Sequence, residues 1–424
     1  MTSLAAVQAR AGISLSRRVA TAATFLAFGL VNILVFGAHA HHGDATFTFS
    51  LIGAKVTVPP LHVPAALGCY VLGAATIAIA AARLTVLDSV AARRVMIGAV
   101  LVFFAISLLL WADAGNEIPV NIVVLLQNTL VGSIPLILGA MAGCMGERAG
   151  VINIAIEGQL LLGAFAAAVV ASALSGLWLG LVTGSLAGGL VGLVLAVFAI
   201  RFLVDQIILG VVLNLLISGI TGYLYDRLLV PDANTFNSAP TFGALKVPAL
   251  GDIPIIGPVF FDSTIFLYIT YAAVIFVQVG LFSTRWGLRV RAVGEHPTAA
   301  DTVGIRVLGI RYWNLIIGGL LAGIGGAWMT IGSVGTFNKD MSSGLGYIAL
   351  AALIFGRWTP LGATAAALLF GFSSALESFL GSINVPISPY LLGMTPYVAT
   401  IIAVAGLVGR VRAPAADGKP YVRA

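Results

Sequence analysis

Residues 286–306 read Trp286-Gly-Leu-Arg-Val-Arg-Ala-Val-Gly-Glu-His-Pro-Thr-Ala-Ala-Asp-Thr-Val-Gly-Ile-Arg306. This charged, Gly- and Pro-punctuated island stands between two long apolar runs, 264–283 and 313–334. That setting decides the fold. About 20 apolar residues in a row suffice to cross a bilayer, so the island is a loop at a membrane face. With its flanks it carries Arg285, Arg289, Arg291, Arg306 and Arg311 against Glu295 and Asp301. Pro297 suits a first helical turn, which predicts a short helical patch over 299–303. Two uses fit such a loop: it only fixes the orientation of the chain, or it docks a soluble partner.

Composition agrees with the flanks. Of 424 residues, 59% are hydrophobic, 9% are charged and 50 are glycine, whereas a soluble domain carries about 25% charge. The fold class expected is therefore an all-α polytopic membrane protein of about 10–12 transmembrane or half-membrane helices. The net charge of +6 is not a nucleic-acid signature, because the basic residues sit in short loops beside apolar runs. Cys69 and Cys144 lie in apolar surroundings without metal or CxxC spacing and read as small buried hydrophobes.

Spans are predicted near 19–38, 64–82, 95–112, 120–144, 151–173, 177–200, 205–226, 264–283, 313–334, 361–380 and 390–409, with an undersized one at 344–356. The first follows Arg10, Arg17 and Arg18 but is too long for the apolar core of a signal peptide, so it reads as a retained span. Placing the N-terminus in the cytoplasm puts 18 of the 22 basic residues on that side, leaving Lys55, Arg227, Lys246 and Lys339 outside. The positive-inside rule selects this arrangement, with both termini cytoplasmic. A small extracytoplasmic β-hairpin is predicted near 45–58, where Phe47, Phe49 and Leu51 alternate with Thr46, Thr48 and Ser50. The proline-rich stretch 228–263 has no helical period and reads as an irregular cap or a receptor-docking surface. Gly184, Gly188 and Gly192, and again Gly319 and Gly323, recur every four residues and mark helix-contact faces, within the chain or between copies.

The chain carries no phosphate-binding loop and no hydrolase or metalloprotease motif, so no catalytic residue is assigned. No metal site is assigned either, because His39, His41 and His42 read as a solvated turn. Polar interruptions carry the chemistry instead. In Gly146-Glu-Arg-Ala-Gly-Val-Ile-Asn-Ile-Ala-Ile-Glu-Gly158, Glu147 and Arg148 are expected to pair, and Asn153 and Glu157, four apart, to share a helical face. Glu157 facing lipid costs about 2.5–3.5 kcal/mol, so it faces protein or water, either in a solute path or satisfied by neighbouring helices. The second interruption, 342–362, is the undersized helix ended by Gly356 and Pro360, and broken helices persist only where they line a cavity or are buried in protein. Gln127, Asn128, Asn214 and Glu377 read as interhelical bonds or solute contacts. Asp205 and Gln206 read as a helix start.

Taken with Asp205-Gln-Ile-Ile-Leu-Gly-Val-Val-Leu-Asn-Leu-Leu and Ile-Ala-Leu-Ala-Ala-Leu-Ile-Phe-Gly-Arg-Trp-Thr-Pro-Leu-Gly, the island and the first interruption resemble the permease subunits of bacterial ABC importers, the nucleoside-type branch related to simple-sugar permeases. The resemblance runs from about residue 120. It implies a core over 120–410, preceded by an extension, 1–119, with about three spans and followed by a polar tail, 411–424. It implies no ATPase activity and no cofactor in this chain, with ATP and Mg on two cytoplasmic ATP-binding subunits. A second related permease, an extracytoplasmic substrate-binding lipoprotein and the bacterial inner membrane complete the expected assembly. Gly294, Glu295, His296, Pro297, Ala299, Ala300 and Gly304 match the loop that couples to the ATPase. Asn153 stands where the sugar branch has Asp, and Glu157 is an addition, which points away from a plain sugar. Asn153, Glu157, Phe165, Gln127, Asn128 and Asn214 are the expected solute path, and a nucleoside is the expected cargo. A sugar importer and a proton-driven carrier using Glu157 and Glu377 are the alternatives.

Overall fold

Hydrocarbon offers no partner to a backbone N–H or C=O, and a helix satisfies both within one segment. Ten helices among the described residues are long and apolar enough to cross a membrane, and the chain is all-α but for short strands, the fold class the sequence predicts. The computed structural model describes residues 4–40, 43–51, 53, 56–85, 90–116, 119–383, 394 and 412–422. The span predicted at 390–409 lies outside them, as do Lys55, His41 and His42.

The described chain divides into two compact units, one made of residues up to Leu125 with the stretch from Glu377, the other of Leu126–Leu376 with the stretch from Met394. In the first, α1 (Leu4–Val31) ends in a π-helical turn at Asn32–Gly37 and packs on α2 (Ala65–Thr85), which packs on α3 (Val90–Asp113). Gly29 and Gly73 allow that approach, since a Cβ on either falls 2.5–2.6 Å from an isoleucine of the facing helix. The strand β1 (Asp44–Thr48) is where alternation places it, but its antiparallel partner is β2 (Leu61–Pro64), and β3 (Val120–Asn121) adds a parallel edge. The hairpin predicted at 45–58 is thus corrected. Pro59 and Pro60 carry no N–H, so ladder pairing resumes only beyond them.

The second unit takes in most of α4 (Ile122–Arg148), then α5 (Ile156–Leu174), α6 (Leu177–Ala196) and α7 (Gln206–Leu224), the last two each prolonged by a π-helical turn. The stretch read as an irregular cap contains α8 (Ala233–Phe236), β4 (Ala244–Lys246), α9 (Ile256–Phe261) and β5 (Asp262–Thr264), where β4 and β5 form an antiparallel pair too short for alternation to reveal. There follow α10 (Ile265–Ser283), α11 (Arg285–Glu295), α12 (Pro297–Thr302), α13 (Val307–Met329), α14 (Leu345–Phe355) and α15 (Pro360–Ser382).

The glycine stripes meet each other inside this unit. A Cβ on Gly188 falls 2.4 Å from the Gly319 carbonyl, one on Gly319 lies 2.4 Å from the Gly188 carbonyl, and one on Gly323 lies 2.3 Å from that of Gly184. Backbone therefore packs on backbone along α6 and α13. Gly326 repeats the contact on α5, where an added Cβ would collide with the Leu160 carbonyl. Lipid tails are as apolar as leucine, so this close fit, not hydrophobic burial, holds the three helices together.

Candidate functional site

The first interruption is not helical throughout. Val151–Asn153 are irregular and Ile154 and Ala155 form a turn before α5 starts at Ile156, so Asn153 and Glu157 do not share a helical face. Asn153 is fully buried and exchanges two 3.2 Å hydrogen bonds with Gln159. Glu157, in the first turn of α5, turns instead to the start of α14. Its Oε1 accepts the Ser342 hydroxyl at 2.6 Å and the Gly344 N–H at 2.9 Å, and its Oε2 accepts the Gly346 N–H at 2.7 Å. A helix leaves its first N–H groups unsatisfied and carries a partial positive charge there, so a carboxylate carried in the first turn of α5 caps the start of α14. The approach is close, since a Cβ on Gly346 falls 2.4 Å from the Glu157 nitrogen. Gly344, at φ +84°, makes the left-handed turn into α14.

Asn214 on α7 joins the same junction. Its Oδ1 accepts the Gly158 N–H at 2.8 Å, while its Nδ2 donates to the Ile154 carbonyl at 2.9 Å and to Tyr347 Oη at 3.1 Å. Tyr347 is 46% exposed, so an aromatic ring stands at the open side of a fixed polar corner. Asp205 caps α7 as the sequence indicates, accepting from Ile207 and Ile208 at 2.9 and 3.0 Å, and Gln206 accepts the Ile152 N–H at 2.8 Å.

Of the predicted solute path, the structure brings Glu157 and Asn214 together, with Asn153 buried behind them. Phe165 packs edge-on to Phe337 with centroids 5.2 Å apart in the core. Gln127 donates to the Pro258 carbonyl at 2.9 Å, and Asn128 is exposed. Ser342, Gln159 and Tyr347 were missed. Gln159 was visible as a further polar residue in an apolar run, whereas Tyr347 carries no signal apart from its position in a broken helix.

The arginine-rich island folds as α11 and α12. Thr284 Oγ1 accepts the Gly287 N–H at 3.0 Å to start α11, and Pro297 occupies the first turn of α12, as predicted. One face is buried, through Val290, Val293, Gly294 and Ala300. The other shows Leu288, Arg289, Glu295, His296, Ala299, Val303 and Gly304 to solvent. Gly294 lets the island sit on the end of α4, because a Cβ there falls 2.2 Å from the Arg148 carbonyl. Glu147 and Arg148 do not pair with each other as expected. Arg148 donates to the Trp358 and Arg357 carbonyls at 2.7 and 3.3 Å, and buried Glu147 accepts Trp358 Nε1. The guanidinium groups of Arg148 and Arg291 both lie over the Phe282 ring, 5.4 and 5.2 Å from its centroid.

This arrangement is mechanical: an exposed amphipathic island rests on the end of α4, and a carboxylate joins two helix starts. Residues 125–408 match the family described as the branched-chain amino acid transport system permease component. The chain belongs to that permease family. Among curated relatives, this permease is 41% identical over 312 residues to the guanosine ABC transporter permease protein NupQ of Bacillus subtilis, covering 71% of this chain and 97% of the relative. It is 36% identical to the nucleoside ABC transporter permease protein NupC of Lactococcus lactis, with the same two shares covered. It is 32% identical to the putative glucose ABC transporter permease protein TsgC13 of Haloferax volcanii, over 62% of this chain and 80% of the relative. No solved structure matches the permease. The matched region contains both interruptions and the island, while α1–α3 and the tail from Arg412 fall outside it.

Proposed function

We propose that this chain is the membrane subunit of an ATP-driven importer that moves nucleosides inward. The observation that carries the reading is the 41% identity to a guanosine permease over 97% of that protein's length. In this reading both termini and the α11–α12 island face the cytoplasm, where two ATP-binding subunits, holding ATP and Mg, grip the exposed face of residues 287–305. A second related permease and an extracytoplasmic binding lipoprotein complete the assembly, in a bacterial inner membrane. Closure of the ATPases pushes α11 and α12 against the end of α4. The junction of Glu157, Asn214 and Tyr347 moves as one body because its hydrogen bonds tie α5, α7 and α14. The exposed Tyr347 ring beside an amide suits a base and a ribose, which a hexose does not offer.

Uptake of radiolabelled guanosine into vesicles containing the full assembly and ATP tests this. The reading requires saturable uptake that excess adenosine suppresses and excess glucose leaves intact. Suppression by glucose alone assigns the chain to sugar import.

A further inference from the structure

The polar tail ends outside the family match, yet it is not loose. Its described part, 412–422, lies on the inner side of the island. Ala416 donates to the Gly294 carbonyl at 2.9 Å and Ala415 to Glu295 Oε2 at 3.2 Å. Arg311 Nη1 donates to the Lys419 carbonyl at 3.1 Å, and Tyr421 is buried among Val293, Ala300 and Val307. Gly150, at φ +84°, makes room for both sides, since a Cβ there falls 3.0 Å from Arg311 Nη2 and 3.2 Å from the Ala416 carbonyl. In the middle of this contact the carboxyl groups of Glu147 and Asp417 face each other. Glu147 Oε1 and Asp417 Oδ1 are both buried and neither accepts a well-formed hydrogen bond, although the backbone N–H groups of Asn153 and Gly418 approach the two carboxyls. Two ionised carboxylates cannot satisfy one another, but a single proton between them satisfies both oxygens.

We propose that the C-terminal tail is a brace that positions the α11–α12 island against α4, and that a proton shared by Asp417 and Glu147 fastens it. Asp417 and Glu147 are positioning residues: they act on coupling through the island and touch no solute. The proposal rests on the reading of the island as the ATPase-coupling element.

The charges facing the pair come from every packed element. Arg311 on α13 faces Asp417. Arg148 lies beside Glu147 on α4, Glu295 holds the tail from α11, and Lys419 and Tyr421 lie on the tail itself. One guanidinium, one carboxylate and one protonated carboxyl sum to zero; loss of the proton leaves a net buried negative charge. Burial pushes the Asp417 carboxyl up from its ordinary 3.8 to about 7. A free tail returns it to the ordinary value, so the docked state binds the extra proton between those limits. The docked pKa is raised, hence docking is strongest at low pH. It weakens by up to about tenfold per pH unit on the way to neutrality.

The test uses the full chain in lipid nanodiscs, with spin labels on Val422→Cys of the tail and Phe202→Cys of the α6–α7 connection. Both sites are exposed, and the native Cys69 and Cys144 are fully buried. The brace predicts a narrow distance distribution at pH 5.5 that broadens by pH 8. Asp417→Asn, whose amide donates without titrating, stays narrow at both, and Asp417→Ala is broad at both. In the complete assembly, ATPase stimulation by solute should follow the same pattern, several-fold lower for Asp417→Ala and restored by Asp417→Asn. A narrow distribution for Asp417→Ala at every pH overturns the fastening. A tail that loosens while stimulation stays at the wild-type level overturns its role in coupling. An unmutated assembly that shows no stimulation, with the distance pattern intact, instead refutes the functional reading above.

Discussion

At the scale of single residues, Glu157 shows what a carboxylate inside a bundle is for. Its two oxygens take three donors from the start of α14, so the group is committed to holding that helix. Removal of an N-terminal cap costs about 0.5–2 kcal/mol, and here the start of α14 loses its cap and its tie to α5. Glu157→Ala is expected to lower the thermal midpoint of the purified chain by a few degrees and uptake by about tenfold or more. Glu157→Gln, which sets an NH2 against backbone N–H groups, should fall between; wild-type values for both variants count against the junction. The sequence made plain that Glu157 faces protein or water, because lipid exposure costs too much. It did not reveal the partner, 185 residues away at Ser342, because a backbone N–H leaves no mark in composition. Asn153 was misplaced for a related reason: spacing of four implies a shared face only where a helix exists, and α5 begins only at Ile156.

At the scale of elements, glycine spacing was the most legible signal. It predicted contact faces, and the structure pairs the two stripes with each other. Gly188→Leu has no room, since even its Cβ falls 2.4 Å from the Gly319 carbonyl. The expected result is a chain that inserts but fails to give a monodisperse peak on size-exclusion chromatography, whereas Gly219→Leu, at an open position, elutes as wild type. A normal peak for Gly188→Leu contradicts the packing. Gly294→Ala acts on the island alone, where its Cβ meets the Arg148 carbonyl at 2.2 Å. It should reduce ATPase stimulation in the assembly more than it reduces thermal stability, and the two measurements side by side decide this. The undersized helix was also legible, bounded by Gly344 and Gly356. The β1 partner was not, because alternation identifies strands without saying which strand pairs with which. The docked tail escaped notice too, since a short polar terminus carries no periodic signal of burial.

At the scale of the whole molecule, the α11–α12 island rests on the end of α4, and the Glu157 junction lies where the interrupted segments before α5 and α14 meet. The ten candidate spans among the chain's described residues fall where hydropathy places them. In the function proposed above, force enters through the exposed face of α11 and α12. Glu295→Arg reverses a charge on that exposed face and removes the acceptor of the Ala415 N–H, and it should abolish solute-stimulated ATP hydrolysis without preventing assembly. The most direct measurement is flux of radiolabelled guanosine into liposomes holding either this chain alone, with and without a pH gradient, or the full assembly with ATP. The account predicts accumulation only with the assembly and ATP. Accumulation by the isolated chain under a pH gradient contradicts it.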